Sequence, residues 1–318
     1  MTKKNIKNRI AAIDMGTNSF HLVIVEIKND GSLIFLDRER EVLRLGSQQG
    51  KDLSQISDEE KDKAVKILTG FADLAKFYQA KIRAIATSAV REAKNQKEFI
   101  DTIFNKTGVT VEVVDGRKEA NLIFLGIKQA LALDDKKVLC VDIGGGSTEF
   151  IYANSGKINF AESVKIGAVR LSKLFFPDFI ITDEAVKKCS DFVEDQIIAN
   201  QNIKTDIDIN FGVGVSGTVD TIYHLSQAKK SRGLREILNG YSFSREEFEK
   251  FYQKIIVLKT PAERVLIPGM EAKRADIIPA GMIILKKIFE LFKIKKIVVS
   301  EYALREGIVM DTLEKMND

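Results

Sequence analysis

The chain has 318 residues, 45% hydrophobic and 30% charged, an ordinary globular mixture with core material for two domains and, at 4 Pro, no polyproline linker. Its 49 Lys and Arg against 45 Asp and Glu leave a net charge of +4, too mild for a dedicated nucleic-acid binder, and no apolar run is long enough to span a bilayer. Two cysteines, Cys140 and Cys189, give no disulfide framework, and the apolar run after the Lys-rich start is cut short by Asp14, unlike a secretory signal, so the expected location is the cytoplasm.

In chain order, residues 10–14 and 20–27 predict buried strands joined by a glycine turn, and 33–40 a third strand. Ser57 with Glu60 three residues later has the pattern of a capping box for a helix running to about residue 80. A strand at 82–86, a helix near 94–106, a strand at 109–114 and a helix at 119–131 follow. The second half reads as strands at 138–142, 149–153 and 157–164, helices at 167–175 and 183–199, a strand at 211–215 and a helix at 218–227. Helices are expected at 245–254 and 262–265, and a long one at 274–292 whose Pro279 must sit near its first turn or kink it. A last strand at 296–300 and a last helix at 304–313 close the chain. The whole is α/β.

The two halves repeat. Residues 10–24, IAAIDMGTNSFHLVI, return 128 positions later as VLCVDIGGGSTEFIY, placing Asp14 on Asp142, Gly16 on Gly144 and Ser19 on Ser147. The same offset lays 82–92, IRAIATSAVRE, on 210–220, NFGVGVSGTVD, with Ser88 on Ser216. Two domains of similar fold are therefore expected, with boundaries at 1–117 plus 303–318 and at 118–302.

The segment from Asp142 to Glu149 carries the strongest chemical signal. Gly144, Gly145 and Gly146 between apolar strands let a ligand approach the backbone, successive N–H groups form an anion-holding nest, and Ser147 and Thr148 add hydroxyls. A phosphate alone is repelled by the flanking Asp142 and Glu149 carboxylates, and a Mg²⁺ between them resolves the repulsion. The loop Asp14-Met-Gly16-Thr-Asn18-Ser19 repeats the pattern, which makes Asp14 a further metal candidate and Gly16, Asn18 and Ser19 phosphate candidates. The bland alternative is a pair of tight hairpins with solvated acids. Ser88 and Arg91 stand where a strand opens a helix, as do Gly217 and Thr218 in the second half, and such junctions suit anions. Glu119 begins a predicted helix, where its ordinary role is to stabilise the helix dipole. Arg38, Arg40 and Arg44, and Lys229, Lys230, Arg232 and Arg235, form basic clusters that suit a polyphosphate track or a solvated face alike. With only His21 and His224, a multi-histidine metal site is excluded, and no Ser/His/Asp arrangement is expected.

These motifs together resemble the exopolyphosphatase/guanosine pentaphosphate phosphohydrolase family in its short two-domain form. The matches are 12–21, AIDMGTNSFH; 86–93, ATSAVREA; Glu119-Ala followed by Leu-Ile-Phe124; 141–149, VDIGGGSTE; 214–218, GVSGT; Arg274-Ala-Asp276; and 304–307, LREG, in family order over nearly the whole chain. The chain differs at Asn121, where the family commonly carries Arg, and longer members continue with a C-terminal helical region beyond the position of Asp318. The resemblance implies two actin-like ATPase (RNase H-like) domains with the active site in the cleft between them. It implies metal-dependent release of terminal orthophosphate from inorganic polyphosphate, or conversion of guanosine pentaphosphate to tetraphosphate. Mg²⁺ or Mn²⁺ is the implied cofactor, with a monovalent cation such as K⁺, and a homodimer the implied assembly, without nucleic acid or membrane. By the same resemblance Glu119 matches the general base, Arg91 the phosphoryl contact, Asp142 and Glu149 the acidic metal or catalytic positions, and Gly144 to Ser147 the phosphate loop. A small-molecule kinase, and a non-catalytic alarmone-binding regulator, are rivals on the same superfold.

Overall fold

A computed structural model describes residues 9–28, 32–45, 54–228 and 237–317. The basic stretch from Lys229 to Arg235 lies outside these residues. The chain divides into two compact units, Met1–Gly126 with Leu304–Asp318, and Ile127–Ala303.

The first unit is built on strands β1 (Arg9–Met15), β2 (Ser19–Ile27), β3 (Leu33–Val42), β4 (Lys81–Ala86) and β5 (Val111–Val113), in sheet order β3-β2-β1-β4-β5. β1, β2 and β3 form an antiparallel meander, while β4 and β5 join parallel to β1 through crossover helices. On one face Ala11, Ile13, Met15, Phe20, Leu22 and Ile24 pack with Leu68 and Phe71 of α1 (Asp58–Phe77) and with Phe99 and Ile103 of α3 (Gln96–Thr107). The short α2 (Ser88–Glu92) comes between them, and α4 (Gly116–Ala130) follows β5. Ser57 and Glu60 form the expected capping box at the start of α1. The last helix, α11 (Leu304–Asn317), lies across β1, β2 and β4. Arg83 of β4 ties it down, donating to Thr312 Oγ1 at 3.0 Å and pairing with Asp311.

In the second unit β6 (Lys137–Ile143), β7 (Thr148–Asn154), β8 (Lys157–Val164), β9 (Phe211–Val215) and β11 (Lys296–Val299) repeat that order, β8-β7-β6-β9-β11, with the three-residue β10 (Ser242–Ser244) antiparallel at the edge. This strand order in both units is that of the actin-like, RNase H-like fold. Helices α5 (Ala168–Phe175), α6 (Asp183–Ala199), α7 (Ser216–Gln227) and α8 (Arg245–Ile256) pack on α10 (Ile278–Leu291), whose residues 278–285 are all buried, and the short α9 (Pro261–Val265) follows α8. A helix apolar on every side is a core helix. The expected start of this helix at 274 is corrected to Ile278. Pro279 lacks an N–H and its ring excludes a preceding helical turn, so residues 272–274 form a separate 3₁₀ turn.

The repeat is visible in the registers, with one slip. Asp14 pairs with His21 and Asp142 with Glu149, both in keeping with the offset of 128. The parallel neighbour does not keep it: Asp14 lies level with Ile85, whereas Asp142 lies level with Val215, two residues further along than the offset predicts. A slip of two preserves which face each side chain occupies, so the hydrophobic alternation does not register it.

α11 approaches α4 closely at Gly307, where an added Cβ would lie 1.8 Å from the carbonyl oxygen of Leu122. Backbone cannot yield as a side chain can. Gly307→Ala is therefore expected to lower stability by about 3 kcal/mol, read as a drop in the urea midpoint; an unchanged midpoint would refute so close an approach.

Candidate active site

In the first unit the candidate residues gather at the carboxyl ends of β1, β4 and β5, the edge at which open α/β sheets bind ligands. The β1–β2 turn is closed by Gly16 N–H donating to Ser19 O at 3.2 Å, and a Cβ at Gly16 would crowd that oxygen at 3.1 Å. Asn18 O accepts from the N–H groups of Leu43 and Arg44. Thr17 Oγ1 and Asn18 Oδ1 are buried there with no hydrogen-bond partner among the described residues. Ser19 Oγ lies 2.8 Å from His21 Nε2, and Asp14 stands across from His21 on β1. A serine and a histidine within bonding distance, with an aspartate opposite the histidine, is an arrangement the sequence gives no reason to expect, because it needs the β1–β2 register. At the end of β4, Ser88 Oγ donates to Glu92 Oε1 at 3.0 Å. Arg91 reaches from α2 to the start of α4: its Nη1 donates to Val114 O at 3.0 Å and to Glu119 Oε2 at 2.7 Å. Glu119, though in a first helical turn, is buried, and the guanidinium balances its charge.

In the second unit the β6–β7 turn has the same closure, Gly144 N–H to Ser147 O at 3.0 Å. Its outward carbonyls are all engaged. Gly144 O accepts from Ala168 N–H at 2.9 Å, Gly145 O from Val169 and Arg170 N–H at 2.9 and 3.0 Å, and Gly146 O from Arg170 Nε at 2.7 Å. No described residue accepts a hydrogen bond from the N–H of Gly145, Gly146 or Ser147. Gly167 permits this contact, since a Cβ there would fall 2.4 Å from the carbonyl carbon and oxygen of Gly145. Glu149, fully buried, receives two hydroxyls on Oε1, from Ser147 at 2.8 Å and Ser163 at 2.7 Å.

Asp142 is buried at the end of β6, and the slip brings Ser216, at the start of α7, to donate to its Oδ1. Ser216 takes a left-handed φ of 70° in doing so. Burial pushes the Asp142 carboxyl up to about 6; the Ser216 hydroxyl opposes the shift and the charge of Asp220 adds to it. Among the described residues no three His, Cys, Asp or Glu side chains form a metal cage. Mg²⁺ does not need one, because it keeps waters and substrate oxygens and takes one or two carboxylates. A carboxylate raised chiefly by burial, with a like-charged neighbour adding to it, is a chemical environment that a divalent cation would relieve, so this donor set fits the ion.

At α7, Gly217 is covered by Arg274: a Cβ there would lie 1.5 Å from Arg274 Nη2. Thr218 is buried against Gly281 of α10. The carbonyl of the next residue, Ala275, accepts from buried Arg264, whose guanidinium also donates to the carbonyls of Leu258 and Phe179. Gly167, Arg170, Ser163 and Asp220 were not singled out from sequence. Gly167 read only as a helix start, and nothing in helical periodicity says that Arg170 turns back onto a preceding loop.

The sequence pattern of the Ppx/GppA phosphatase family matches residues 23–316. A guanosine-5'-triphosphate,3'-diphosphate pyrophosphatase of Photobacterium profundum is 30% identical over 99% of this chain and 61% of its own length. The chain spans between 46% and 61% of the length of the curated relatives it matches. Among solved structures, an exopolyphosphatase from Cytophaga hutchinsonii superposes with a TM-score of 0.87 at 30% identity, covering 97% of this chain and 98% of that one. An Aquifex aeolicus member of the Ppx/GppA family superposes at 0.81 with 27% identity, covering 98% and 99%.

The raised Asp142 has a consequence for stability. Its folded value of about 6 exceeds the ordinary 3.8, so the penalty for the buried charge is absent at pH below 3.8, grows as pH rises through 6 and is complete above it. A shift of this size corresponds to about 3 kcal/mol. Asp142→Asn is expected to stabilise the protein without added metal by about 2 kcal/mol at pH 7.5, with the gain shrinking toward pH 5. Urea denaturation at the two pH values checks this, and an equal effect at both would rule out the buried charge as its source.

Proposed function

Because the chain belongs to the Ppx/GppA phosphatase family, we propose that it is an exopolyphosphatase, a phosphoric anhydride hydrolase that removes the terminal phosphoryl group of inorganic polyphosphate as orthophosphate. The observation that supports this best is the Gly144–Ser147 turn, with three successive N–H groups that have no acceptor among the described residues, beside a buried carboxylate. A backbone nest of this kind suits a phosphoryl oxygen. Phosphoryl transfer requires chiefly positioning and charge stabilisation, which such a loop supplies.

The roles are carried over from the family resemblance residue by residue. Gly144, Gly145, Gly146 and Ser147 are assigned to the phosphate chain, with Gly16, Asn18, Ser19, Ser88, Gly217 and Thr218 as further phosphate positions. Asp142, Glu149 and Asp14 are the candidates for the one or two carboxylates that would hold Mg²⁺ or Mn²⁺, which when bound offsets phosphoryl charge. Glu119 is the general base: it takes a proton from a water whose oxygen attacks phosphorus as the bridging P–O bond breaks. Arg91 holds Glu119 in the structure. Turning to the phosphoryl group, it would both stabilise the transferring charge and leave the carboxylate free to accept the proton. The proposed setting is the cytoplasm; no helix among the described residues is long and apolar enough to cross a membrane.

A second substrate, guanosine pentaphosphate, is favoured by the Photobacterium relative, which is named for a closely related activity. It uses the same chemistry. Orthophosphate release with Mg²⁺ from long polyphosphate and from guanosine pentaphosphate, at matched concentration, separates the two. Preference for polyphosphate is expected; preference for the nucleotide moves the protein to alarmone turnover, and binding of both without release replaces the enzyme by a regulator. Glu119→Gln is expected to lower kcat by about 10²–10⁴ with KM little changed. An unchanged kcat would remove Glu119 from the role.

A further inference from the structure

The phosphate reading of the Gly144–Ser147 turn leaves open what aims its N–H groups. In a trans peptide the C=O and the following N–H point in opposite directions. Each captured carbonyl therefore dictates the direction of one N–H. Ala168 N–H on Gly144 O turns the N–H of Gly145 away from α5; Val169 and Arg170 N–H on Gly145 O do the same for Gly146. The third peptide has no backbone donor. Its carbonyl, Gly146 O, is held by a side chain, Arg170 Nε at 2.7 Å, and the N–H this turns outward is that of Ser147.

We propose that Arg170 is a positioning residue that orients the Ser147 N–H toward a bound phosphate, completing a three-donor nest whose first two members are oriented by the backbone of α5. The inference rests on the phosphate-loop reading given above. The N–H groups of the first turn of a helix ordinarily lack intrahelical partners and carry its positive end. Here those of Ala168, Val169 and Arg170 go to the loop carbonyls, so the loop peptides align with the helix and pass its polarity on to the opposite side. Arg170 extends that alignment by one peptide. Arginine places a charged N–H at the ε position, where lysine has a methylene and carries its charge one atom further on.

The test is amide ¹⁵N–¹H NMR of the whole chain, titrated with inorganic phosphate. In the unaltered protein the amides of Gly145, Gly146 and Ser147 are expected to shift together. In Arg170→Met, which keeps the apolar stem, and in Arg170→Lys, which keeps the charge, Gly145 is expected to shift and Ser147 not, with phosphate binding about tenfold weaker, the scale of one charge-assisted hydrogen bond. If the Met variant does not fold, the Lys variant decides. A Ser147 response equal to that of the unaltered protein in the folded variant overturns the proposal and leaves the phosphate loop standing. No response at all in the unaltered protein overturns the phosphate loop and this inference with it.

Discussion

Three consecutive carbonyl oxygens, those of Gly144, Gly145 and Gly146, are taken from one side by the start of α5, and much of the second unit is arranged to keep them so. The approach tolerates no side chain at Gly167. Thr148 adds a hydroxyl bond to Ile166 O, which binds the far side of the turn to the strap that leads into α5. Ala168 and Val169 pack on Ile277 at the foot of α10, so the helix that holds the turn is itself seated on the unit's most buried element. A turn of three glycines would otherwise sample many conformations. The cost of ordering it is met through hydrogen bonds and packing outside the turn, which leaves the N–H groups of Gly145, Gly146 and Ser147 without an acceptor among the described residues.

The first unit begins from the same hairpin and finishes it differently. Gly16 and Ser19 reproduce the closure made by Gly144 and Ser147. After β3, however, the chain returns its Leu43 and Arg44 N–H groups, both to Asn18 O. The paired charges of this unit come instead from α2 and α4, joined by the reach of Arg91 to Glu119. One half thus presents oriented backbone, the other paired charges.

The hairpins were legible because a strand, a glycine turn and a second strand impose apolar alternation on either side of small residues, and that pattern survives in both halves. The α/β class and most elements follow from the same periodicity. The neighbouring strand was not legible in detail. The bond from Ser216 to Asp142 exists because β9 pairs two residues out of step with β4, and an even slip leaves no trace in alternation. Arg170 was hidden for a different reason: its partner is a carbonyl 24 positions back in the chain, a relation set by the close seating of Gly167. Arg91 and Glu119 were each picked out, but as separate groups, since their pairing depends on the packing of two helix starts beside β5.

The two turns also differ in a matter of hydroxyl polarity. Ser147 faces the Glu149 carboxylate, which as an ion only accepts, so the proton of Ser147 is committed and its lone pairs are what remain for anything else in the turn. Ser19 faces an imidazole nitrogen, which accepts in one tautomer and donates in the other. Its hydroxyl can therefore offer either a proton or a lone pair without moving any heavy atom. Descended from one pattern, the two serines are chemically unlike: the first has a fixed sense, and the second is reversible, decided by where a single proton resides on His21.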